Sequence, residues 1–566
     1  MFPMNRQCLL LRPGPCCQRR RRGLILVVVL IMIALLSLLA ASYTFMVRSH
    51  LDTVRERMQR FQVRMAAEAG IQHAVVTLRT TRGDVDSWFD NEESYRGSLV
   101  LGKEGETELN VNQERPEART YDPTAVPAVR YSLIHPNNDE PDTVLYGFTD
   151  ESARLHLNQA TDAQLLRLFE MVIPESTDFD VDVNVLVDSL LDWRSSGNQP
   201  RPNGAKNEYY QTMIPPYRCK SAPFSTVEEL LLVRGFTAWV VFGEDYNRNG
   251  LLDPNEDDGD ESFPPDNSDG LLFRGVSAYL TLWSEDANVS GDNRTRINLN
   301  MQDLEKLQEK LEEEELDSDI ISYIIQVRSS GVMFNSVMNL VPAPPPPEEE
   351  EGGGGGPTSQ PTTQPTGGDP TSQPNNENPQ GSGSDSTDQD GENGGSENQG
   401  TGSVPVYQNL TAEEPPGTYD DLPLILDRLT TNPSPVFQGL INVSTAPREV
   451  LAMITELTDA ELDSIVIARQ ELRGEDKSSP AWLLTEAGLS ETKFRQILDK
   501  ITTKSSVYRI ESIGYADNIG VVERIMKVIQ MRGPIPQVLY YRNLNALGAA
   551  YTPHGDERRD LRKQSG

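Results

Sequence analysis

The chain has 566 residues, enough for several domains with separate cores. It carries 85 acidic against 51 basic residues, a formal net charge of −34, and this excludes nucleic acid as a main partner, because phosphate binding needs a basic surface. Cys8, Cys16 and Cys17 precede the first apolar run, so the remainder holds only Cys219 and no internal disulfide.

Arg6, Arg12 and Arg19 to Arg22 lead to Gly23, and Leu24 to Val47 follow without a charge. Such a run crosses ~30 Å of hydrocarbon as a helix, and it exceeds the ~7–15 apolar residues of a cleaved secretory signal. "LLAAS" supplies small residues for a signal cleavage site, and a plain single-pass anchor is a further reading. The basic flank places the N-terminus in the cytoplasm and everything after Val47 across the membrane, exported. Leu51, Val54, Met58, Phe61 and Met65 continue at spacings of three and four, then "AAEAGIQHAVVTL" follows. One helix over 24–79, about 80 Å long, is predicted. Alternation in "AVRYSLI" and "TVLYGF" predicts a small antiparallel β region over 80–153.

A self-similar element then recurs: "RLHLNQATDAQLLRLF" from Arg154, "RINLNMQDLEKLQEKL" from Arg296 and "GLINVSTAPREVLAMI" from Gly439. Each reads as a short strand, an Asn or Ser, and a helix. Asn158, Asn300 and Ser444 are expected as helix caps, Thr161 with Gln164 as a capping box, and Pro447 in a first helical turn. The first copy leads into a helical lobe over 154–280. The second gives a strand–helix element over 281–341, and the third opens a second lobe within 404–506. Val507 to Ile513 and Val522 to Ile529 form a hairpin around "ADNIG" over 507–531, ahead of a tail at 532–566. Between the lobes, 342–403 is Pro-, Gly- and acid-rich with almost no apolar residue, the composition of a flexible spacer.

Within the first lobe, 244–275 is dense in carboxylates. Asp245, Asn247, Asn249, the Leu251 carbonyl, Asp253 and Glu256 fall at positions one, three, five, seven, nine and twelve, with Gly250 at six. That is the ligand spacing of a calcium loop. Asp257, Asp258, Asp260, Asp266, Asn267 and Asp269 offer donors for a second ion. Clustered carboxylates without a cation repel one another, so structural Ca2+, one or two ions, is expected. The bland reading is a solvated acidic loop.

No catalytic set is visible. The histidines are scattered, no H-E-x-x-H or G-x-S-x-G occurs, and Cys219 between Arg218 and Lys220 reads as a structural thiol. The turn at Thr455 to Ala460 has no glycine to present amides to DNA phosphate. A non-enzymatic protein is predicted.

Two groups of residues carry a family resemblance. The basic leader, Gly23, the unbroken apolar helix and "AAEAG" resemble the N-terminus of type IV pilins and type II secretion pseudopilins. "LLDW", "PNGA…YY", "PPYR" and "APF.S.EELLLVRG.T", in that order between Val183 and Thr237, resemble the helical domain of the K-type minor pseudopilins. The resemblance implies an α+β fold: a pilin-like N-terminal helix on a small antiparallel sheet, with large inserted helix-hairpin-helix lobes and a calcium loop. It implies cleavage by prepilin peptidase between Gly23 and Leu24 and methylation of Leu24. Val28 stands at the fifth mature position, where most members carry a glutamate thought to meet the next subunit's amine. Its absence is typical of the tip subunit, and a head of nearly 500 residues would clash with subunits stacked above it. The implied role is to initiate the type II secretion pseudopilus, with I-type and J-type minor pseudopilins as partners and contact with secreted protein substrates. A minor pilin of a type IV pilus, a membrane-anchored calcium-dependent surface-binding protein and a DNA-uptake receptor are the alternatives. The spacer at 342–403 departs from the family pattern.

Overall fold

The computed structural model describes residues 24–102, 128–139, 143–174, 181–259, 261–266, 268–342, 414–517, 520–533 and 535–548. Its first element is one continuous helix, Leu24–Thr80, long and apolar enough to cross a membrane. Two environments divide it. From Leu26 to Phe61 its large apolar side chains are exposed, whereas Val63, Ala66, Ala67, Ile71, Ala74 and Leu78 are buried. Those six recur at helical spacing, so they form one stripe, and the stripe lies on an antiparallel sheet.

The sheet runs in the order Ser98–Leu101, Val129–Pro136, Val507–Ala516, Val522–Gln530 and Gln537–Asn543. Val144–Tyr146 also pairs with Val129–Pro136, and Thr149–Asp150 with Val507–Ala516. The hairpin expected at 507–531 is therefore not a separate appendage but the centre of the sheet begun within 80–153. Gln537–Asn543, inside the segment expected as a tail, forms an edge strand on it. Helix and sheet meet closely because Gly514 has no side chain: a Cβ there would lie 2.1 Å from the Val63 carbonyl oxygen. Tyr95, Trp88, Phe148, Leu133, Tyr508 and Ile525 complete this core. Burying each such side chain contributes about 1.5–3 kcal/mol, and together these contributions fix the helix on the sheet.

The recurring sequence element builds the same lobe three times, each closed by a parallel strand pair. Leu155–His156 pairs with Leu280–Thr281, Ile297–Asn298 with Leu429–Thr430, and Ile441–Asn442 with Ile501–Thr502. Equivalent side chains perform equivalent tasks. The amide nitrogens of Trp283, Asn432 and Lys504 donate to the hydroxyls of Thr281, Thr430 and Thr502. Arg194 donates to the Leu157 and Ala160 carbonyls, Arg328 to that of Met301, and Arg469 to that of Ala446. Asn158 and Asn300 are not the expected helix caps. Their amides bridge the backbone N–H and C=O of Phe224 and Phe334 respectively, and Ser444 donates to the Lys477 carbonyl. The side-chain caps are Thr161 and Asp303, while Pro447, expected in the first turn, stands one position earlier, before Arg448–Leu451, and having no side-chain acceptor makes no cap bond. Thr161 with Gln164 does form the expected capping box.

The second copy is thus a whole lobe rather than a strand–helix element. It forms its own compact unit, Ile297–Ile425 with Leu429–Asn432, while residues to Arg296, Leu426–Arg428 and those from Pro433 form the other. The segment expected as one lobe at 404–506 is therefore divided between the two, because Leu429–Thr430 pairs back to Ile297–Asn298. The spacer at 342–403, but for Pro342, lies outside the described residues. Its flanks meet, since the Gly417 N–H donates to the Leu340 carbonyl at 2.9 Å.

Candidate metal centre

The loop that opens at Asp245 owes its shape to short polar side chains that hydrogen-bond their own backbone. Asp245 accepts from the Asn249 and Gly250 amides at 3.0 and 2.9 Å. Asn247 accepts from the Asn249 amide and Asn249 from the Leu251 amide. Gly250 takes φ +71°, a left-handed conformation that glycine adopts without steric cost. Glu256 reaches back to accept from the Tyr246 and Asp253 amides at 3.0 and 3.1 Å. Asn247 and Asn249 both donate their amides to the Asp253 carboxylate. The six expected positions are therefore wound into one turn, with Asp245, Asn249, Leu251 and Glu256 buried.

Burial, together with the nearby Asp245 and Asp253 carboxylates, pushes Glu256 up to about 7. Burial also raises Asp245. A divalent cation would offset that repulsion, and every side-chain donor is a hard oxygen, so the residues fit Ca2+.

The downstream set is arranged differently. Asp266 accepts from the Asp258, Gly259 and Ser268 amides, and although burial opposes it, these amides hold its carboxyl below the usual range. Asp257 accepts from Gly270 and Asp269 from Leu271. Asp260 and Asn267 lie outside the described residues. Among the described residues no group of three or more Asp, Glu, His or Cys side chains gathers as a metal site. The donors expected in the first loop include two asparagines and a backbone carbonyl, which are not of those four types.

One anchoring residue was not expected from sequence. Among the described residues Arg524, on the strand Val522–Gln530, is one of the largest fully buried side chains. It donates to the Asn247 carbonyl at 2.5 Å and the Arg248 carbonyl at 2.9 Å, and pairs with Glu511. It thereby ties the loop to the sheet. The available signal was an arginine in alternation with Met526 and Val528, on the strand face that carries those buried apolar residues.

The motifs of the first lobe form its internal frame. Asp192 accepts from the Arg201 amide at 3.0 Å, and a Cβ on Gly204 would meet the Asp192 carboxylate at 2.0 Å. The Trp193 indole donates to Glu229, which also accepts from the Ser225 amide and Lys220. Cys219 is buried, 3.7 Å from the Asp192 carbonyl. Gly23 lies outside the described residues; Leu24 begins the long helix and Val28 is exposed on it.

A long helix laid on an antiparallel sheet, together with helical lobes, defines a mixed α+β protein. Residues 149–241, spanning the frame just described, match the family model of the type II secretion system (T2SS), protein K. The match bears out the resemblance to K-type minor pseudopilins. The crystal structure of the GspK–GspI–GspJ complex from the enterotoxigenic Escherichia coli type 2 secretion system contains a chain similar to this one. That likeness has 10% identity and a TM-score of 0.31, covering 87% of this chain and 98% of that one. So loose a superposition carries no further argument. No curated protein matches the sequence.

Proposed function

We propose that this chain is a non-enzymatic minor pseudopilin of the K type, seated at the tip of a type II secretion pseudopilus and initiating its assembly. The observation that carries the reading is the two-environment helix. Its exposed apolar half suits a membrane and then a helical bundle, while its buried half fixes a head too large to stack beneath another subunit. The family match over 149–241 supports it.

In this reading prepilin peptidase cleaves after Gly23, and Leu24 becomes the methylated N-terminus. Val28 leaves no buried carboxylate to be neutralised, as suits a subunit with no neighbour above it. The helix holds the chain in the inner membrane with its bulk in the periplasm. I-type and J-type minor pseudopilins are its partners, and secreted proteins meet the head. Ca2+ in the loop from Asp245 to Glu256 is structural: it neutralises the clustered carboxylates and stiffens the junction that Arg524 ties to the sheet.

Co-expression with the I-type and J-type pseudopilins of the same secretion system tests this. A ternary complex by size exclusion is expected. A chain that elutes alone at micromolar concentration would contradict the partner assignment.

A further inference from the structure

Beside the metal loop lies a partly open cavity of about 160 Å³. Its position is fixed by the sheet strands Val129–Pro136 and Val507–Ala516, the loop and the start of the third lobe. For a chain of net charge −34 its lining is unexpected, because Arg154, Arg248, Arg274 and Arg509 all reach it. Two carboxylates, Asp245 and Glu511, line it as well, and both are engaged elsewhere. Asp245 accepts from loop amides, and Glu511 pairs with Arg524.

The guanidinia are incompletely matched. Arg509 pairs with the buried Glu151 at 2.7 Å, and Arg154 stands 3.7 Å from that same carboxylate. The Arg154 Nη1 is buried and has no hydrogen-bond partner. Arg274 donates to the neutral Asn138 amide and lies over the Tyr279 ring, with Glu449 and Asp245 nearby, and Arg248 stacks over the Phe242 ring at 4.2 Å, with Glu228 and Asp245 nearby. Burial, with the neighbouring Arg509, pushes Arg154 down to about 9. A buried donor with no hydrogen bond and several like charges around one space are costly unless an anion shares it.

We propose that this cavity binds a small oxyanion, a sulfate- or phosphate-like group or a carboxylate, held by the forked donors of Arg154, Arg248 and Arg274. Guanidinium forks match such groups bidentately. The volume admits one such group with a few waters, each of which takes about 30 Å³. The site uses no metal, although Asp245, Arg248 and Gly250 of the neighbouring loop form part of its wall.

The probe is sulfate, titrated into the detergent-solubilised full chain with chloride adjusted to constant ionic strength, so that general screening does not change. One saturable site is expected by calorimetry. Arg248→Gln, which removes a guanidinium that makes no ion pair among the described residues, should weaken it roughly ten-fold or more. Arg201→Gln, outside the cavity and paired with Asp162 on the first lobe, should leave it unchanged. Succinate in place of sulfate assigns the source: tighter binding of succinate points to a carboxylate-bearing ligand, weaker binding to a tetrahedral oxyanion. Selenate soaked into crystals of the unaltered chain gives an independent reading through its anomalous signal. A peak against Arg248 and Arg274 supports the proposal. No saturable sulfate binding, binding unaffected by Arg248→Gln, or selenate found only elsewhere would overturn it.

Discussion

Replacing Arg524 by methionine keeps the volume on the strand but removes a charge that serves three acceptors. The Asn247 and Arg248 carbonyls lose their donor, and Glu511 loses its partner. Glu511 is only 19% exposed at its side chain, so water compensates it poorly. Breaking one side of a buried pair costs about 3–5 kcal/mol. Most of that loss falls on the loop, since both carbonyls belong to it. Local opening at the low end of the range becomes roughly a hundred times more frequent, at 1.4 kcal/mol per factor of ten. Hydrogen exchange of the peptide spanning 244–256, read by mass spectrometry, reports this directly. The amides of Asn249 and Gly250, which Asp245 holds, should exchange about a hundred-fold faster in Arg524→Met. Arg524→Lys, keeping a charge but not the fork, should fall between the two. Exchange in the methionine variant within three-fold of the unaltered chain would refute the anchoring role.

Three further outcomes are expected. Asp150 is buried between Asn442 and Thr445, and burial, against those two donors, pushes it up to about 6. Its unfolded value is near 3.9, so the folded state holds the extra proton between about pH 4 and 6. Stability therefore falls as pH rises through that window and levels above it. Relative to Asp150→Asn, the unaltered chain should lose about 2 kcal/mol between pH 4 and 7, and parallel melting curves would contradict this. Gly204→Ala forces a Cβ against Asp192 and should cost about 1–3 kcal/mol in thermal unfolding; a neutral result would show that the Asp192 side chain moves freely. If the loop binds Ca2+, chelation should remove about 2.7 kcal/mol from a sample at one hundred times the dissociation constant. Asp245→Asn should blunt that response, and a melting temperature indifferent to both calcium and chelator would end the metal reading.

The sequence displayed its local signals well. The helix to Thr80, the capping box at Thr161 and Gln164, and the turn at Gly250 all follow from short-range spacing. What it hid was long-range pairing. Nothing local says that Val507–Ala516 inserts beside Val129–Pro136, because register depends on partners hundreds of residues away. The second lobe was half-visible because its closing strand, Leu429–Thr430, is two residues long and comes after the spacer. Asn158 and Asn300 look like caps because an asparagine before a helix usually is one. Their bridges to Phe224 and Phe334 need the folded lobe before they can be seen. Of the metal loop, the donor spacing was readable but the Arg524 anchor was not, since it lies on another element.

The central claim is processing into a pseudopilin, and the mass of the mature N-terminus from native membranes tests it most directly. The account predicts a chain that begins at Leu24 with one added methyl group. A chain that keeps its arginine leader, or one that begins near Ser42, would contradict it and leave an anchored or secreted binding protein.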